Sequence, residues 1–299
     1  MNKLAIMMKI GLDGEALNNE GTIGNIIQPK QVSLSDGTIR QALSGEMLKH
    51  YHSRNLRLLA DGDELCETCK IFSPMKNGEI KKIDKNLSAS GNRVKKCAVC
   101  DSEGFMNAGK GHNEKRKSCI EFSWGIATAE NDYQTIQHSR IDPTEKNNKP
   151  KKKGENETTT SDANTNESQN TQMLFYKPLR SNIYAITIEI ELDRIGFDDE
   201  KLVYAIDENA RKSRQKKVIQ ALINMFIDME GAMCSTRLPH IRNIEGVLVH
   251  KTDRNDILVK YSALNDDYKE VNKKIGTNVS EFNNIKEFIK VLNSVVDLQ

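Results

Sequence analysis

The chain has 299 residues, of which 37% are hydrophobic and 29% are charged, and its formal net charge is +2 at pH 7. This composition allows a packed core, and the near-neutral charge argues against a free-standing, strongly basic nucleic-acid-binding protein. No stretch approaches the roughly 18 apolar residues of a membrane helix. The first residues, MNKLAIMMKIGLDGE, are typical of a strand and not of a signal peptide. We therefore expect a cytoplasmic protein without a membrane partner.

Alternation of apolar and polar residues predicts a half-buried strand over residues 4–16. One face of this strand carries Leu4, Ile6, Met8, Ile10 and Leu12, and the other carries Met7, Lys9, Gly11, Asp13 and Glu15. A polar loop follows at 17–34. Ser33 or Ser35 then caps a predicted helix that runs to about residue 59, with Arg40 near its start.

The second half of the chain shows further periodic segments. We predict strands at 121–128, 184–192, 245–251 and 256–262, and helices at 208–230 and 280–295. Between the first two of these strands, residues 144–172 contain Ala163 as their one apolar side chain besides a proline, which predicts a flexible loop. The order of elements predicts an α+β protein with a modified ferredoxin-like (RRM-like) β-α-β-β-α-β core.

Two CxxC pairs lie in an insertion at residues 60–120. Cys66 and Cys69 form the first pair, and Cys97 and Cys100 form the second. Two thiolates three residues apart on a tight turn can reach one zinc ion, and a second such turn completes a tetrahedron. Four cysteine ligands leave no open position, so the predicted zinc is structural. The alternative is four ordinary thiols in a loop-rich segment.

Three polar segments are candidates for contacts with a sugar-phosphate backbone. Amides and basic side chains suited to phosphate occur in and just after the first loop, at Asn18, Asn19, Gln28, Lys30, Gln31 and Arg40. Further basic residues lie in QHSRIDP and in GAMCSTRLPHIRN, at His138, Arg140, Arg237 and Arg242. On composition alone, an ordinary surface loop, a polar strand end and pairing with surface carboxylates are competing interpretations.

Two long segments carry a family resemblance. LNNEGTIGNIIQPKQVSLSDGTIRQALSGEMLKHY (17–51) and LFYKPLRSNIYAITIEIELDRIG (174–196) resemble the guide-RNA-binding backbone subunit of type I-B CRISPR Cascade complexes, in the DevR-like family of RAMP-type proteins. The resemblance implies copies that polymerise head to tail along a CRISPR RNA without reading its sequence. It also implies other Cascade subunits as partners, target DNA bound through the guide, and a role in antiviral defence without enzymatic activity.

The same resemblance suggests a division of the chain. Residues 1–59 and 121–299 would form an RRM-like palm core, and residues 60–120 would form an inserted zinc-binding finger. A thumb-like element would emerge around residues 137–175 and include the flexible loop at 144–172. In such a subunit the ten polar candidates named above are the expected RNA contacts.

Two other functions compete with this interpretation. Some type III backbone proteins cut target RNA with an aspartate in a comparable loop, and Asp13 or Asp36 would have that role here. A surface acid is the simpler interpretation, since no metal partner is evident beside either carboxylate. The third possibility is a zinc-containing regulator that binds DNA.

Overall fold

The computed structural model describes residues 2–71, 90–109, 112–130, 133–141, 172–231 and 233–297. Its strands are β1 (Lys3–Glu15), β2 (Asn19–Ile23), β3 (Ile26–Pro29), β4 (Gln31–Ser33), β5 (Ile39–Leu43), β6 (Phe105–Gly109), β7 (His112–Arg116), β8 (Ile120–Phe122), β9 (Gly125–Ala127), β10 (Gln134–Ile141), β11 (Gln172–Glu191), β12 (Phe197–Asp198), β13 (Val203–Tyr204), β14 (His240–Lys251) and β15 (Val279–Phe282). Its α-helices are α1 (Gly45–Leu59), α2 (Glu67–Lys70), α3 (Ser90–Lys96), α4 (Ala98–Glu103), α5 (Glu208–Ile227), α6 (Tyr268–Ile275) and α7 (Ile285–Asp297).

A large, mainly antiparallel sheet organises the protein, in the order β15-β14-β1-β11-β9-β5-β4. The first strand is central, with Ile6 opposite Ile188 of β11 on one side and Leu248 of β14 on the other. The N-terminal half of β11 extends beyond this centre, where it pairs with β10 and, in parallel, with β3. The expected α+β class is therefore confirmed, and its sheet is large and mainly antiparallel.

The two faces of the sheet are covered differently. The face that carries Leu4, Ile6, Met8 and Ile10 packs against α1, α5 and α7 in the main hydrophobic core. The opposite face packs against α6 over part of its length, where Met7, Val247 and Tyr268 belong to one smaller hydrophobic cluster. None of the helices in the described part of the chain is long and apolar enough to span a membrane.

The predicted helix start at Ser33 or Ser35 is wrong. Residues 31–33 and 39–43 form a strand pair, and α1 begins at Gly45. Its cap is Ser44, whose side chain accepts a hydrogen bond from the Met47 N–H at 3.2 Å. The reason is the turn between the strands, where Gly37 adopts a φ of 84° that is unfavourable for other residues. Arg40 consequently lies on β5.

Other boundaries also differ from the sequence expectations. The predicted strand at 121–128 is two short strands, β8 and β9, and the helix at the C terminus is preceded by β15. The predicted strand at 256–262 is wrong, because the buried Asn272 side chain replaces a strand partner. Asn272 Oδ1 accepts from the Tyr261 N–H at 3.1 Å, and Asn272 Nδ2 donates to the Tyr261 carbonyl at 2.8 Å. The predicted flexible loop at 144–172 lies outside the described residues, apart from the backbone of residue 172.

A bulge near the end of β1 changes the position of Glu15. Strict alternation places Glu15 on the open face with Lys9 and Asp13, and this expectation is wrong. The register shifts between Leu12 and Glu15, where Gly14 has a φ of 68°. The Glu15 side chain is consequently fully buried.

Gly246 of β14 tests the close packing of the central strands. A Cβ atom at this position would lie 2.4 Å from the Met7 carbonyl oxygen and 2.7 Å from Cζ of Phe282. We expect Gly246→Ala to destabilise the protein by about 1–3 kcal/mol, because the backbone of β1 must shift. Thermal unfolding would measure this loss beside Gly62→Ala, which meets no atom within 4 Å. Equal unfolding temperatures for the two variants would contradict the packing of β14 on β1.

Candidate functional site

The four predicted zinc ligands lie at the starts of two short helices. Cys66 is the N-cap of α2, and Cys69 lies within that helix. Cys97 is the N-cap of α4, and its Sγ accepts a hydrogen bond from the Cys100 N–H at 3.4 Å. Each CxxC pair therefore presents both sulfur atoms from one helical turn.

The four sulfur atoms converge in a buried cluster. They all lie within 4.8 Å of one another. The Cys100 sulfur is 3.7 Å from the sulfur atoms of both Cys66 and Cys69. A tetrahedral zinc site with Zn–S bonds of about 2.3 Å has S–S edges of about 3.8 Å. The predicted ligands are thus together, and their spacing fits a metal such as zinc.

The crowding of these thiols affects their protonation. A hydrogen bond with the Cys100 thiol lowers the pKa of Cys66, and the hydrogen bond with Cys66 raises the pKa of Cys100. The cluster therefore resists becoming four thiolates at once. A divalent cation at its centre would remove this conflict, since each thiolate would then face positive charge.

Buried ion pairs attach the second CxxC helix to the rest of the protein. Asp101 lies 2.6 Å from an Arg116 nitrogen and 2.8 Å from an Arg214 nitrogen, and all three side chains are buried. At the end of α4, Glu103 Oε1 lies 2.5 Å from Nδ1 of His52 on α1. The cysteine cluster is thus tied to α1, α5 and β7.

Asn18 and Lys30 belong to one hydrogen-bonded loop. The Asn18 side-chain oxygen accepts from the Ser44 N–H at 2.7 Å, and its carbonyl oxygen accepts from the Lys30 N–H at 3.2 Å. The Lys30 ammonium lies 2.9 Å from a Glu20 carboxylate oxygen and 5.3 Å from the centre of the Trp124 ring. Asn18 therefore supports the loop, whereas Lys30 presents its charge beside an aromatic ring.

The other candidates of this segment are more dispersed. Asn19 is half-buried, and its amide nitrogen lies 3.5 Å from the Ala16 carbonyl. Gln28 is half-buried on β3, and Gln31 is exposed on β4. Arg40 donates from Nε to the Thr38 hydroxyl at 3.3 Å. These side chains lie along the same strand and loop region, but the structure does not gather them at one point.

A basic and aromatic cluster forms on the paired strands β10 and β11, where His138 lies opposite Phe175. Arg237, from the loop after α5, approaches His138 on β10, with 2.7 Å between guanidinium Nη2 and imidazole Nε2. The His138 ring stacks on Phe175 of β11 at a centroid distance of 5.4 Å. The Lys177 ammonium lies 4.9 Å from the centre of the same phenyl ring. We call these four residues, His138, Phe175, Lys177 and Arg237, the arm cluster.

The structure thus joins two sequence candidates that are 99 residues apart. Arg140 continues along β10, where its backbone pairs with Met173, and its side chain lies outside the described residues. Phe175 and Lys177 were not predicted as contacts. Their signal is present in the segment LFYKPLR, where an aromatic and a basic residue two positions apart share one face of a strand.

Arg242 lies on β14 at the open face of the sheet, where it lines a groove with Lys9 and Asp13. Its guanidinium donates to an Asp13 carboxylate oxygen at 2.9 Å, and the Arg242 side chain is largely exposed. Both residues line a groove of about 450 Å³ that also includes Lys9 and Ile183. The groove therefore mixes both charges with an apolar wall.

The two candidate catalytic carboxylates have local partners. Asp13 pairs with Arg242, as described above. Asp36 accepts hydrogen bonds from the Thr38 N–H at 2.9 Å and the Thr38 hydroxyl at 2.7 Å, and these bonds lower its pKa. Within the described residues, the cysteine cluster is the one group of three or more side chains that is arranged for a metal ion.

Comparisons with known proteins give a family and a fold. The family model for "CRISPR-associated negative auto-regulator DevR/Csa2" matches residues 6–273. No curated protein sequence matches the chain. A solved chain from a structure titled "CRISPR RNA-guided surveillance complex, pre-nicking" aligns with a TM-score of 0.57 at 8% identity, over 99% of both chains. Another, from a "CRISPR RNA-guided surveillance complex", gives 0.51 at 8% identity, also over 99% of both chains.

The two kinds of match carry different weight. At such low identity, the solved structures show a shared fold, and it extends over almost the whole chain. The family model covers most of the sequence, and it confirms the resemblance at the level of the family. The chain belongs to the CRISPR-associated DevR/Csa2 family.

Proposed function

We propose that this protein is the guide-RNA-binding backbone subunit of a Cascade complex of type I-B, acting in the cytoplasm in antiviral defence. The observation that supports RNA binding most directly is the arm cluster, where His138 and Lys177 lie against the Phe175 ring and Arg237 contacts His138. Family membership and the fold shared with chains of RNA-guided surveillance complexes support the same assignment.

The contacts would hold the RNA backbone and leave its bases unread. Lys30 and Arg237 offer cationic donors suited to phosphate, and amides such as Gln31 offer contacts to sugar oxygens. A subunit that accepts any spacer sequence needs contacts of this kind, since guide pairing supplies the specificity for target DNA. Copies of the chain would repeat these contacts along the guide.

This role has consequences for assembly. A head-to-tail interface that does not close on itself produces a helical filament. We propose such a filament of this chain along the CRISPR RNA, bounded by other Cascade subunits. Target DNA would join through base pairing to the exposed guide.

The fold supports the division into palm and insertion. Strands β14, β1, β11 and β9 lie side by side, and α1 and α5 pack on one face of the sheet, as in a β-α-β-β-α-β ferredoxin-like core. We propose residues 1–59 and 121–299 as the palm and residues 60–120 as a finger with a structural zinc on Cys66, Cys69, Cys97 and Cys100. The thumb-like element would include the residues at 144–172.

We also propose that the protein does not itself cut RNA. Asp13 is engaged by Arg242, and Asp36 is engaged within its own turn. Incubation of the purified complex with a complementary RNA and Mg²⁺ tests this proposal. Cleavage that depended on Asp13 or Asp36 would favour the type III-like alternative.

Binding to two RNAs of unrelated sequence tests the proposed function. We expect similar affinities for both, and a steep fall in affinity as salt is added, because phosphate contacts displace counterions. Fluorescence anisotropy at several salt concentrations would measure both properties. Strong preference for one sequence, or no binding to either, would contradict the proposal.

The protonation of His138 should couple RNA binding to pH. Partial burial, together with the nearby Arg237 and Lys177 charges, lowers the pKa of His138 in the free protein. A bound phosphate would favour the protonated ring and raise that pKa, so binding would take up a proton. We therefore expect affinity to rise as the pH falls through the pKa of His138 in the complex, and to level off below its pKa in the free protein.

A His138→Gln variant provides the comparison, because its side chain does not titrate. Its RNA affinity should lack the histidine-dependent rise at low pH, whereas both proteins should share any pH dependence from other groups. Identical pH profiles for the two proteins would show that His138 does not face the bound RNA.

The name of the matching family, which includes the words "negative auto-regulator", favours a second candidate function. Under this alternative the protein would be a zinc-containing regulator that binds duplex DNA. Sequence-selective binding to a duplex in the absence of RNA would favour it. Duplex binding that is weak and unselective would favour the RNA-binding proposal.

A further inference from the structure

A buried polar triad lies between the sheet and the loop that carries Lys30. Glu15, Arg180 and Tyr184 are each at most 1% exposed. The Arg180 guanidinium lies 2.6 Å and 2.9 Å from the two carboxylate oxygens of Glu15. The Tyr184 hydroxyl donates to the same carboxylate at 2.5 Å. Burial raises the pKa of Tyr184, so the hydroxyl keeps its proton over the working range of pH.

The remaining polar contacts of the triad reach the loop. Glu15 Oε2 accepts from the Leu17 N–H at 2.7 Å, where the loop begins. An Arg180 nitrogen lies 3.5 Å from the carbonyl oxygens of both Lys30 and Ala42. The Ala42 N–H also donates to the Lys30 carbonyl at 2.9 Å. The triad is therefore attached to the loop at Leu17, where the loop begins, and at Lys30.

Burying these charged groups costs more free energy than burying apolar groups at the same place would. An ion pair of this burial loses its hydration, and a well-packed apolar group of similar volume is often at least as stabilising. Glu15 and Arg180 make further hydrogen bonds with the loop backbone, at the Leu17 N–H and the Lys30 carbonyl. The Lys30 side chain lies beside Trp124. The buried ion pair therefore fixes the position of Lys30.

We propose that Glu15, Arg180 and Tyr184 are positioning residues for RNA binding, which set the place of Lys30 through its backbone carbonyl. This inference rests on the proposed function. The ligand is the phosphate backbone of single-stranded RNA, contacted by the Lys30 ammonium. The triad itself is buried and does not touch the RNA.

The single tryptophan of the chain reports on this arrangement. The Lys30 ammonium lies over the Trp124 ring. The emission spectrum of Lys30→Ala therefore serves as the reference for a Trp124 ring without the Lys30 ammonium beside it. Tyr184→Phe removes one hydroxyl and keeps the ring, so the core should remain folded. We expect Tyr184→Phe to shift the Trp124 emission in the same direction as Lys30→Ala, and to weaken RNA binding by about threefold or more, a coupling typical of residues in one network.

A double-mutant cycle separates positioning from general stability. In a Lys30→Ala background, Tyr184→Phe should cause no further loss of RNA affinity. The matched control is Tyr268→Phe, which removes another buried tyrosine hydroxyl that has no described hydrogen-bond partner. This control should leave both the emission and the affinity unchanged.

The outcomes distinguish this inference from the proposed function. Additive losses in the cycle, or an unchanged emission in Tyr184→Phe, would overturn the positioning role even if the protein binds RNA. If the wild type binds no RNA, the proposed function fails, and the positioning role in RNA binding fails with it. A shifted emission with a non-additive loss of affinity would support both.

Discussion

Replacing Cys97 with serine is expected to abolish metal binding and to loosen residues 97–103. Four buried sulfur atoms within 4.8 Å of one another are arranged as ligands of a single metal ion, and Cys97 supplies one of them. Structural zinc sites supply folding free energy directly, about 10–16 kcal/mol of apparent binding in isolated zinc-finger peptides. Mass spectrometry of the native chain would show one zinc in the wild type and none in the variant.

Hydrogen exchange locates the damage caused by this substitution. Amides of α4 should lose protection in Cys97→Ser, whereas those of the central strands β1 and β11 should remain protected. The control is Cys234→Ser, which changes a half-buried cysteine outside the cluster and should keep the metal. Wild-type protein purified without chelator and free of zinc would contradict the predicted site.

Removing Lys177 and Arg237, the two permanently charged residues of the arm cluster, is expected to cause a large loss of RNA affinity. In Lys177→Ala/Arg237→Ala, two phosphate contacts would disappear. The slope of log affinity against log salt should then become shallower by about 1.4, since each phosphate contact to a single strand contributes about 0.7. Anisotropy titrations with two unrelated RNA sequences would measure the change.

A charge-matched control makes that result specific. The double variant Lys286→Ala/Lys290→Ala removes two exposed cations from α7, on the helical side of the sheet. Its slope and affinity should equal those of the wild type. If the arm-cluster variant kept its affinity, or changed its preference between the two sequences, backbone contacts at this cluster would be the wrong explanation.

The sequence predicted the parts of the fold that depend on local periodicity. The strands around Ile6 and Ile188 alternate strictly, and the apolar side of α5 repeats with a helical period. The sequence failed at 31–43, because Ile39 and Leu43 fit a helical stripe as well as a strand. Only the turn at Gly37 and the pairing of β4 with β5 decide between them.

The candidate site also has parts that follow from local sequence pattern and parts that depend on tertiary contacts. The cysteine cluster was predictable because the CxxC spacing itself places two sulfur atoms on one turn. The meeting of His138 with Arg237 was not, since it depends on where the loop after α5 lies relative to β10. Glu15 was misplaced because a bulge interrupts the alternation on which its assignment depended.

Sequencing the RNA that co-purifies with the tagged full-length chain from its native host tests the central claim most directly. The proposed function predicts RNAs of uniform length that share CRISPR repeat sequence and differ in their spacers. The same preparation from a strain carrying Lys177→Ala/Arg237→Ala should retain less of this RNA. A preparation without RNA, or with a heterogeneous mixture lacking repeat sequence, would contradict the assignment as a guide-binding subunit.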